Sequence, residues 1–170
     1  MKRLVTTITA IAALLCGCTG QKKREGAAIL DELEKLPTGL KVVHSPSEVR
    51  GPNEGLNTGW RFSWSFRTEV HAIEKRIKIV QFGIAAWDGF QWVLPLSQNE
   101  YNNGVLDAKT FEQWYGKDAG IIVPGDPAID PQNWAGSHLL KDFKQKWFFI
   151  GVDETGKKWK GEGIVALVVR

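Results

Sequence analysis

The sequence predicts an α+β domain built mainly from antiparallel strands, either sandwich-like or a curled sheet with helices against it. Three observations support this. The chain has 170 residues, of which 43% are apolar, with eight Trp and eight Phe, enough for one core. One long segment alternates apolar and polar residues with the period of a strand. Helical and extended segments do not alternate as they do in a parallel sheet. We expect about seven strands and two or three short helices.

The first element after the N-terminal region is a predicted helix over residues 27–36, AAILDELEKL. Its Ile and Leu residues recur at helical spacing, and acidic residues and a lysine fill the other face. Pro37 and Gly39 end it. We expect this helix to pack on the domain, because an acidic polar face is unsuited to a membrane surface. A short strand at Leu40–Val43 and a loop over residues 44–59 follow.

The clearest strand is Trp60–Ala72, WRFSWSFRTEVHA. Its even positions are mostly apolar, so they are predicted to face the core, and its odd positions are predicted to face water. The predicted core face carries Trp60, Phe62, Trp64 and Phe66, and the predicted wet face carries Arg67, Glu69 and His71.

A second strand is predicted at Arg76–Ala86, and an Asp88-Gly89 turn returns the chain into residues 91–94. Three consecutive antiparallel strands are therefore expected in this part of the chain.

The second half of the chain has mixed signals. Asp107 is placed to cap a helix Ala108–Tyr115 that ends at Gly116, and residues 121–123 resemble a brief strand. Asp130-Pro131 has the pattern of an N-cap with proline at the first helical position, which predicts a third helix reaching about Leu140.

Two C-terminal runs, residues 147–150 and 164–169, are apolar without alternation. Strands of that kind are covered on both faces, so we expect both runs at the centre of the sheets. A turn over residues 153–156 lies between them.

Residues 1–18 have the layout of an export signal. Lys2-Arg3 precede an apolar run, Leu4–Leu15, and the sequence Leu15-Cys16-Gly17-Cys18 follows. This arrangement resembles the lipobox of bacterial lipoproteins, with Cys18 as the modified cysteine. Cys16 fits poorly, because it would place bulky Leu15 where the peptidase takes a small residue.

The resemblance implies a division into a cleaved signal (1–17), a tether (18–26) and one globular domain (27–170). Cys18 would carry a diacylglyceryl thioether and an acylated amine, which together attach a protein stably to a membrane. Thr19 stands where an Asp would favour retention in the inner membrane, so the resemblance points to the outer membrane if the host is Gram-negative. A secretory signal with incidental cysteines is the alternative.

Composition and motifs exclude several function classes. Lys2 and Arg3 account for two of the 22 basic residues, so the chain after the signal carries 20 basic and 19 acidic residues. This nearly neutral charge gives no electrostatic basis for binding nucleic acid. No cysteine follows Cys18, so disulfides and thiol catalysis are not expected. We find no spacing typical of a metal site, a nucleophile elbow or a phosphate loop. We therefore predict no cofactor, no metal and no catalytic residue, although paired carboxylates of a hydrolase leave no motif.

The tryptophans are the candidate ligand-binding residues. Most are explained by core packing, but those beside turns and loops could stack on a sugar or on a partner's side chain. These candidates are Trp87, Trp92, Trp114, Tyr115 and Trp134. A basic C-terminal region with six lysines between residues 141 and 160 suggests a solvated face first and an anionic partner second.

The sequence thus predicts a membrane-anchored envelope lipoprotein, non-enzymatic, whose β-rich domain presents loops or a sheet edge to another envelope protein. The alternative is a module that binds glycan or peptidoglycan through loop-side tryptophans. A cell-wall or glycan hydrolase is the third hypothesis.

Overall fold

A computed structural model describes residues 26–54, 60–95 and 104–170, and it contains two facing β-sheets. Sheet 1 consists of β1 (Leu40–Ser45), β3 (Asn53–Glu54), β4 (Phe62–Ala72) and β9 (Ala128–Ser137). Sheet 2 consists of β2 (Glu48–Arg50), β5 (Ile77–Trp87), β6 (Trp92–Val93), β7 (Val105–Asp107), β8 (Ile121–Ile122), β10 (Phe143–Val152) and β11 (Lys158–Val168). Helix α1 covers residues 26–35, and helix α2 is Ala108–Tyr115. The predicted fold class, mainly antiparallel β with few helices and a curled sheet, is confirmed.

Strand β4 is the centre of sheet 1. It pairs antiparallel with β1 and β3 on one side and with β9 on the other. In sheet 2 the order is β2-β11-β10-β5, with β6, β7 and β8 each pairing along part of the far side of β5. All pairs are antiparallel except β2 with β11.

The predicted alternation of β4 is confirmed. Its even positions from Phe62 to Ala72 are all buried and contribute to the core between the sheets. That core is aromatic: Phe82 and Phe149 of sheet 2 stack with ring centroids 5.7 Å apart, and Trp64 is fully buried. Burial of these rings supplies much of the apolar surface that stabilises the fold.

Strand β10 is covered on both faces, as its sequence predicts. Trp147 and Phe149 face sheet 1, whereas Phe148 and Ile150 face a second cluster on the outer side of sheet 2. Helix α1 completes that second cluster with Leu33, which is fully buried. The continuous apolar run therefore has two separate partners.

Helix α1 is also held by ion pairs. Glu162 of β11 bridges Lys146 (3.0 Å) and Lys160 (2.9 Å), and Glu34 of α1 lies 3.4 Å and 3.6 Å from the same two amines. Glu32 pairs with Lys158 at 2.8 Å. The acidic face of the helix thus covers part of the basic C-terminal region, and the expectation that this helix packs on the domain is confirmed.

Strand β1 of sheet 1 and strand β11 of sheet 2 approach each other closely. A Cβ at Gly161 would lie 2.5 Å from the Cβ of Leu40, and one at Gly163 would lie 2.7 Å from Val42. A side chain at either position would collide with β1, so this close approach requires glycine.

Five expectations are wrong. The loop predicted over residues 44–59 contains the end of β1 and the short strands β2 and β3. The predicted helix from Asp130 to Leu140 is strand β9: Pro131, which has no N–H to donate, occupies the register shift where β9 passes Arg67. Strands β4 and β5 lie in different sheets, so the three consecutive strands do not form one meander.

Trp60 does not share the core face of β4. Its ring lies on the outer face of sheet 1, over Gly136, the cross-strand partner of Ser63. The expectation that the run at residues 164–169 is covered on both faces is wrong, because Ile164 is 51% exposed. Val165 and Leu167 are buried as expected.

Within the described residues, no helix is long and apolar enough to cross a membrane.

Candidate functional site

A recess with a volume of about 490 Å³ lies on the outer face of sheet 1. Strands β1, β4 and β9 line it, so its floor is rigid sheet and only one wall is loop. We call it the sheet-1 groove. Its lining residues are Ser45, Pro46, Ser63, Ser65, Phe66, Arg67, Pro131, Gln132 and Trp134.

Strand pairing places Trp134 in this groove. Ser65 of β4 is its cross-strand partner, so the indole and the serine hydroxyl stand side by side on one face. The backbone N–H of Trp134 donates to the Asn133 side-chain carbonyl at 2.8 Å, and the Asn133 side-chain amide donates to Thr68 Oγ1 at 2.8 Å. The backbone that carries the indole is therefore fixed from the core side.

One end of the groove carries a charged row. Arg67 Nε donates to Glu69 Oε1 at 2.8 Å, and His71 Nε2 lies 3.0 Å from Glu69 Oε2. The hydrogen bond from Arg67 holds the pKa of Glu69 below its ordinary value. A guanidinium has five N–H groups, and the contact with Glu69 uses the one on Nε.

The floor of the groove holds a buried hydroxyl. Ser63 is 1% exposed, and within the described ranges its Oγ has no hydrogen-bond partner. A polar group in that state costs free energy unless a ligand or water satisfies it. It is a candidate hydrogen-bonding position beside Gly136, its cross-strand partner, over which the ring of Trp60 lies.

The five candidate residues fall into three places. Trp87 and Trp92 face each other across the β5–β6 hairpin, with ring centroids 5.3 Å apart, on the outer side of sheet 2. The Lys146 amine lies 5.1 Å from the centre of the Trp92 ring. Trp134 is on the opposite face of the molecule, so these rings do not form one site.

Trp114 and Tyr115 lie on α2, which closes the side of the core. Both rings pack edge-on against Phe82, at 5.6 Å and 6.0 Å. Tyr115 is 3% exposed, and burial, together with nearby Asp130, raises the pKa of its hydroxyl well above the ordinary value. Core packing is the role that these positions support.

The sequence placed Arg67 on the predicted wet face of a strand, and it did not single out Ser63, Ser65 or Gln132 as site residues. The β-pattern of residues 60–72 contained the signal for the serines, since odd positions share a face. The signal for Gln132 was hidden by the helix predicted there.

A second recess of about 330 Å³ contains the carboxylates of Glu48 and Asp142. Glu48 is paired with Arg50, and Asp142 accepts the backbone N–H of Val169 at 2.8 Å. Both acids thus have structural partners. In the described part of the chain, no group of three His, Cys, Asp or Glu residues could hold a metal ion.

No protein-family model matches the chain, and no curated protein matches it. Among solved structures, a crystal structure provisionally described as an ApaA protein from Bordetella pertussis overlaps it with a TM-score of 0.41. The two chains are 10% identical, and the overlap covers 78% of this chain and 96% of the other. This similarity is too distant to indicate a function for the chain.

Proposed function

We propose that this chain is an envelope lipoprotein, anchored through Cys18 to a membrane, whose sandwich is a non-catalytic binding module. The observation that carries the binding role is the sheet-1 groove, where an indole, a guanidinium, an amide and hydroxyls converge on a rigid floor. Among the described residues, the groove lining has serine hydroxyls but no carboxylate or imidazole that could activate them. Glu69 and His71, at one end of the groove, are paired with each other, and Glu69 is also paired with Arg67.

The occupant that we propose first is an extended segment of another envelope protein. Pro46 and Pro131 border the groove and supply apolar walls. Strand β9 forms one side of it, and in the described residues β9 pairs only with β4. An edge strand beside an aromatic pocket suits a peptide that adds main-chain hydrogen bonds and inserts a side chain.

A photo-activated cross-linker at Gln132 tests this proposal in the native envelope, with both proteins and glycans identified in the products. The same cross-linker at Gln113, an exposed glutamine on α2, is the matched control. A protein captured at Gln132 and absent at Gln113 would support the proposal. The same products at both positions would contradict it.

The glycan alternative is favoured by one observation, the half-buried Trp134 ring between Ser65, Arg67 and Gln132. Sugars bind by stacking on such a ring while fixed polar groups hold their hydroxyls. Soluble peptidoglycan fragments should then quench Trp fluorescence, and Trp134→Ala should abolish the quenching. Trp87→Ala, which changes a 40% exposed indole on the other sheet, should leave the quenching intact.

The anchor is tested separately, because Cys18 lies outside the described residues. Mass spectrometry of protein extracted from membranes should show an N-terminus at Cys18 with added acyl mass, and Cys18→Ser should abolish that mass. An unmodified N-terminus at another residue would refute the anchor. Thr19 supports an outer-membrane location if the host is Gram-negative.

The hydrolase hypothesis gains no support from this geometry. The recess that holds two acids engages both in contacts with the protein's own groups. Hydrolysis of glycan by the purified protein would support the hydrolase hypothesis.

A further inference from the structure

Four large apolar side chains at one end of the sandwich are exposed. Phe90 is 92% exposed, Leu139 64%, Leu140 51% and Trp87 40%. A cluster of this kind is unusual on a surface that faces only water, and it marks a contact with a partner or a membrane.

Strand pairing brings these residues together. Phe90 lies in the turn between β5 and β6, and Leu139 and Leu140 lie in the loop before β10. Gln145 of β10 pairs with Ala86 of β5, and the two strands are antiparallel. The residues that precede β10 therefore lie beside those that follow β5. We call this surface, residues 87–92 and 138–144, the apolar end.

Helix α1 begins near the same end. A Cβ at Gly26 would lie 3.5 Å from the Cβ of Leu94, which directly follows β6. Cys18 precedes Gly26 by eight residues. A chain of that length spans at most about 28 Å, so a lipid on Cys18 holds this region close to the bilayer.

The charges around the apolar end suit a phospholipid surface. Lys141, Lys144 and Arg61 are exposed there. Three nearby carboxylates of the described residues have partners within the protein. Asp88 accepts the N–H groups of Phe90 and Gln91, Asp142 accepts that of Val169, and Glu48, in the same recess as Asp142, is paired with Arg50. Exposed basic side chains attract anionic headgroups.

We propose that the apolar end docks on the membrane that holds the lipid anchor. Phe90, Leu139 and Leu140 enter the boundary between headgroups and acyl chains, and Lys141 and Lys144 stay at the phosphates. This inference rests on the proposed anchor at Cys18. It adds an orientation: the strands stand away from the membrane, and the sheet-1 groove remains open to a ligand from the side.

The test uses the full-length protein in vesicles of phosphatidylethanolamine and phosphatidylglycerol. Phe90→Cys introduces a thiol for an environment-sensitive dye, since the chain has no cysteine after Cys18. Glu154→Cys is the control, because Glu154 is exposed in the turn between β10 and β11, at the other end of the sandwich. Brominated lipids should quench the dye of Phe90→Cys at least about twofold more than that of Glu154→Cys, because only the former reaches acyl chains.

Equal quenching at the two positions, with acyl mass present on Cys18, would overturn the docking surface and leave the anchor intact. Absence of acyl mass would overturn the anchor instead, and preferential quenching of the Phe90→Cys dye on added vesicles would still support docking. A Phe90→Cys dye that stays in water on vesicles and changes only in native envelope would assign the apolar end to a protein partner and overturn the membrane assignment.

Discussion

The ring of Trp60 lies over the α-carbon of Gly136, where a Cβ would be 2.4 Å from the indole Cγ. That contact places Trp60 on the outer face of sheet 1, in contact with His138, whose ring centroid is 4.6 Å from its own. The alternating pattern predicted Trp60 in the core, but its ring lies on the same face of sheet 1 as the sheet-1 groove. This placement is possible because Gly136 has no side chain.

Replacing Gly136→Ala should displace this indole. Overpacking of such a contact costs about 1–3 kcal/mol, which chemical denaturation would measure. In a Trp60→Ala background the same change should cost much less, because the ring is gone. An equal cost in both backgrounds would show that the two residues do not contact each other.

Removing Leu33 should loosen α1. Leu33→Ala removes a fully buried side chain from the outer cluster of sheet 2, and such changes cost about 2–5 kcal/mol in unfolding free energy. Lys35→Ala, on the exposed side of the same helix, is the control and should change stability by less than about 0.5 kcal/mol. Protease cleavage near residue 30 should become faster only in Leu33→Ala.

The ion pairs between α1 and sheet 2 should make the free energy of unfolding depend on pH in the acidic range. Burial alone would raise the pKa of Glu162, but hydrogen bonds from Lys160 and Lys146 hold it below the ordinary value of 4.5. A lowered folded pKa gives stability that is present above pH 4.5 and is lost as the pH falls through the folded value.

Glu162→Gln should therefore be less stable than the wild type near neutral pH and should lose less stability on acidification. Urea unfolding at a series of pH values measures both. Parallel curves for the two proteins would mean that this carboxylate does not contribute.

The buried hydroxyl of Thr68 links two other buried polar side chains, those of His44 and Asn133. It is hydrogen-bonded to His44 Nδ1 at 3.0 Å and accepts from Asn133 Nδ2 at 2.8 Å. Thr68→Val leaves both groups without this partner, at a cost of about 1–3 kcal/mol. Thr68→Ser retains the hydroxyl and should recover the polar part of the loss. If serine and valine are equally destabilising, the hydrogen bonds are not the cause.

Protonation of His44 should destabilise the fold. Burial lowers the pKa of His44 below the ordinary value of 6.5, so its stabilising contribution is present above pH 6.5 and falls as the pH drops through the folded pKa. Unfolding midpoints should decrease between about pH 7 and 5. A His44→Gln variant should show a flatter profile over that range, and an unchanged slope would assign the effect to other groups.

Local patterns predicted several elements well. The helix Ala108–Tyr115 has the bounds that its sequence predicts, because Asp107 accepts the Thr110 N–H and Gly116 adopts a φ of 62°. Asp88 and Asp153 both hold turns through short-range hydrogen bonds. Each of these features depends on residues a few positions apart, so one sequence contains the whole interaction.

The candidate site was predicted only in part. Trp134 was selected as a loop-side tryptophan, yet it lies on a strand, because Asp130-Pro131 suits a bulge in a strand as well as the start of a helix. Its neighbours in the groove come from β1 and β4, far away in the chain. No local pattern records which strands become adjacent.

The sequence by itself determined the strand character of β4, the cap and end of α2, and the two-sided burial of β10, since periodicity and capping act within a few residues. Tertiary structure decided which sheet each strand joined, the outer position of Trp60, the ion pairs of α1 with β10 and β11, and the convergence of Trp134 with Arg67 and Ser65. Those outcomes depend on long-range strand pairing and on close approach at glycines. The free energy of these contacts involves residues far apart in the chain, so no single segment determines it.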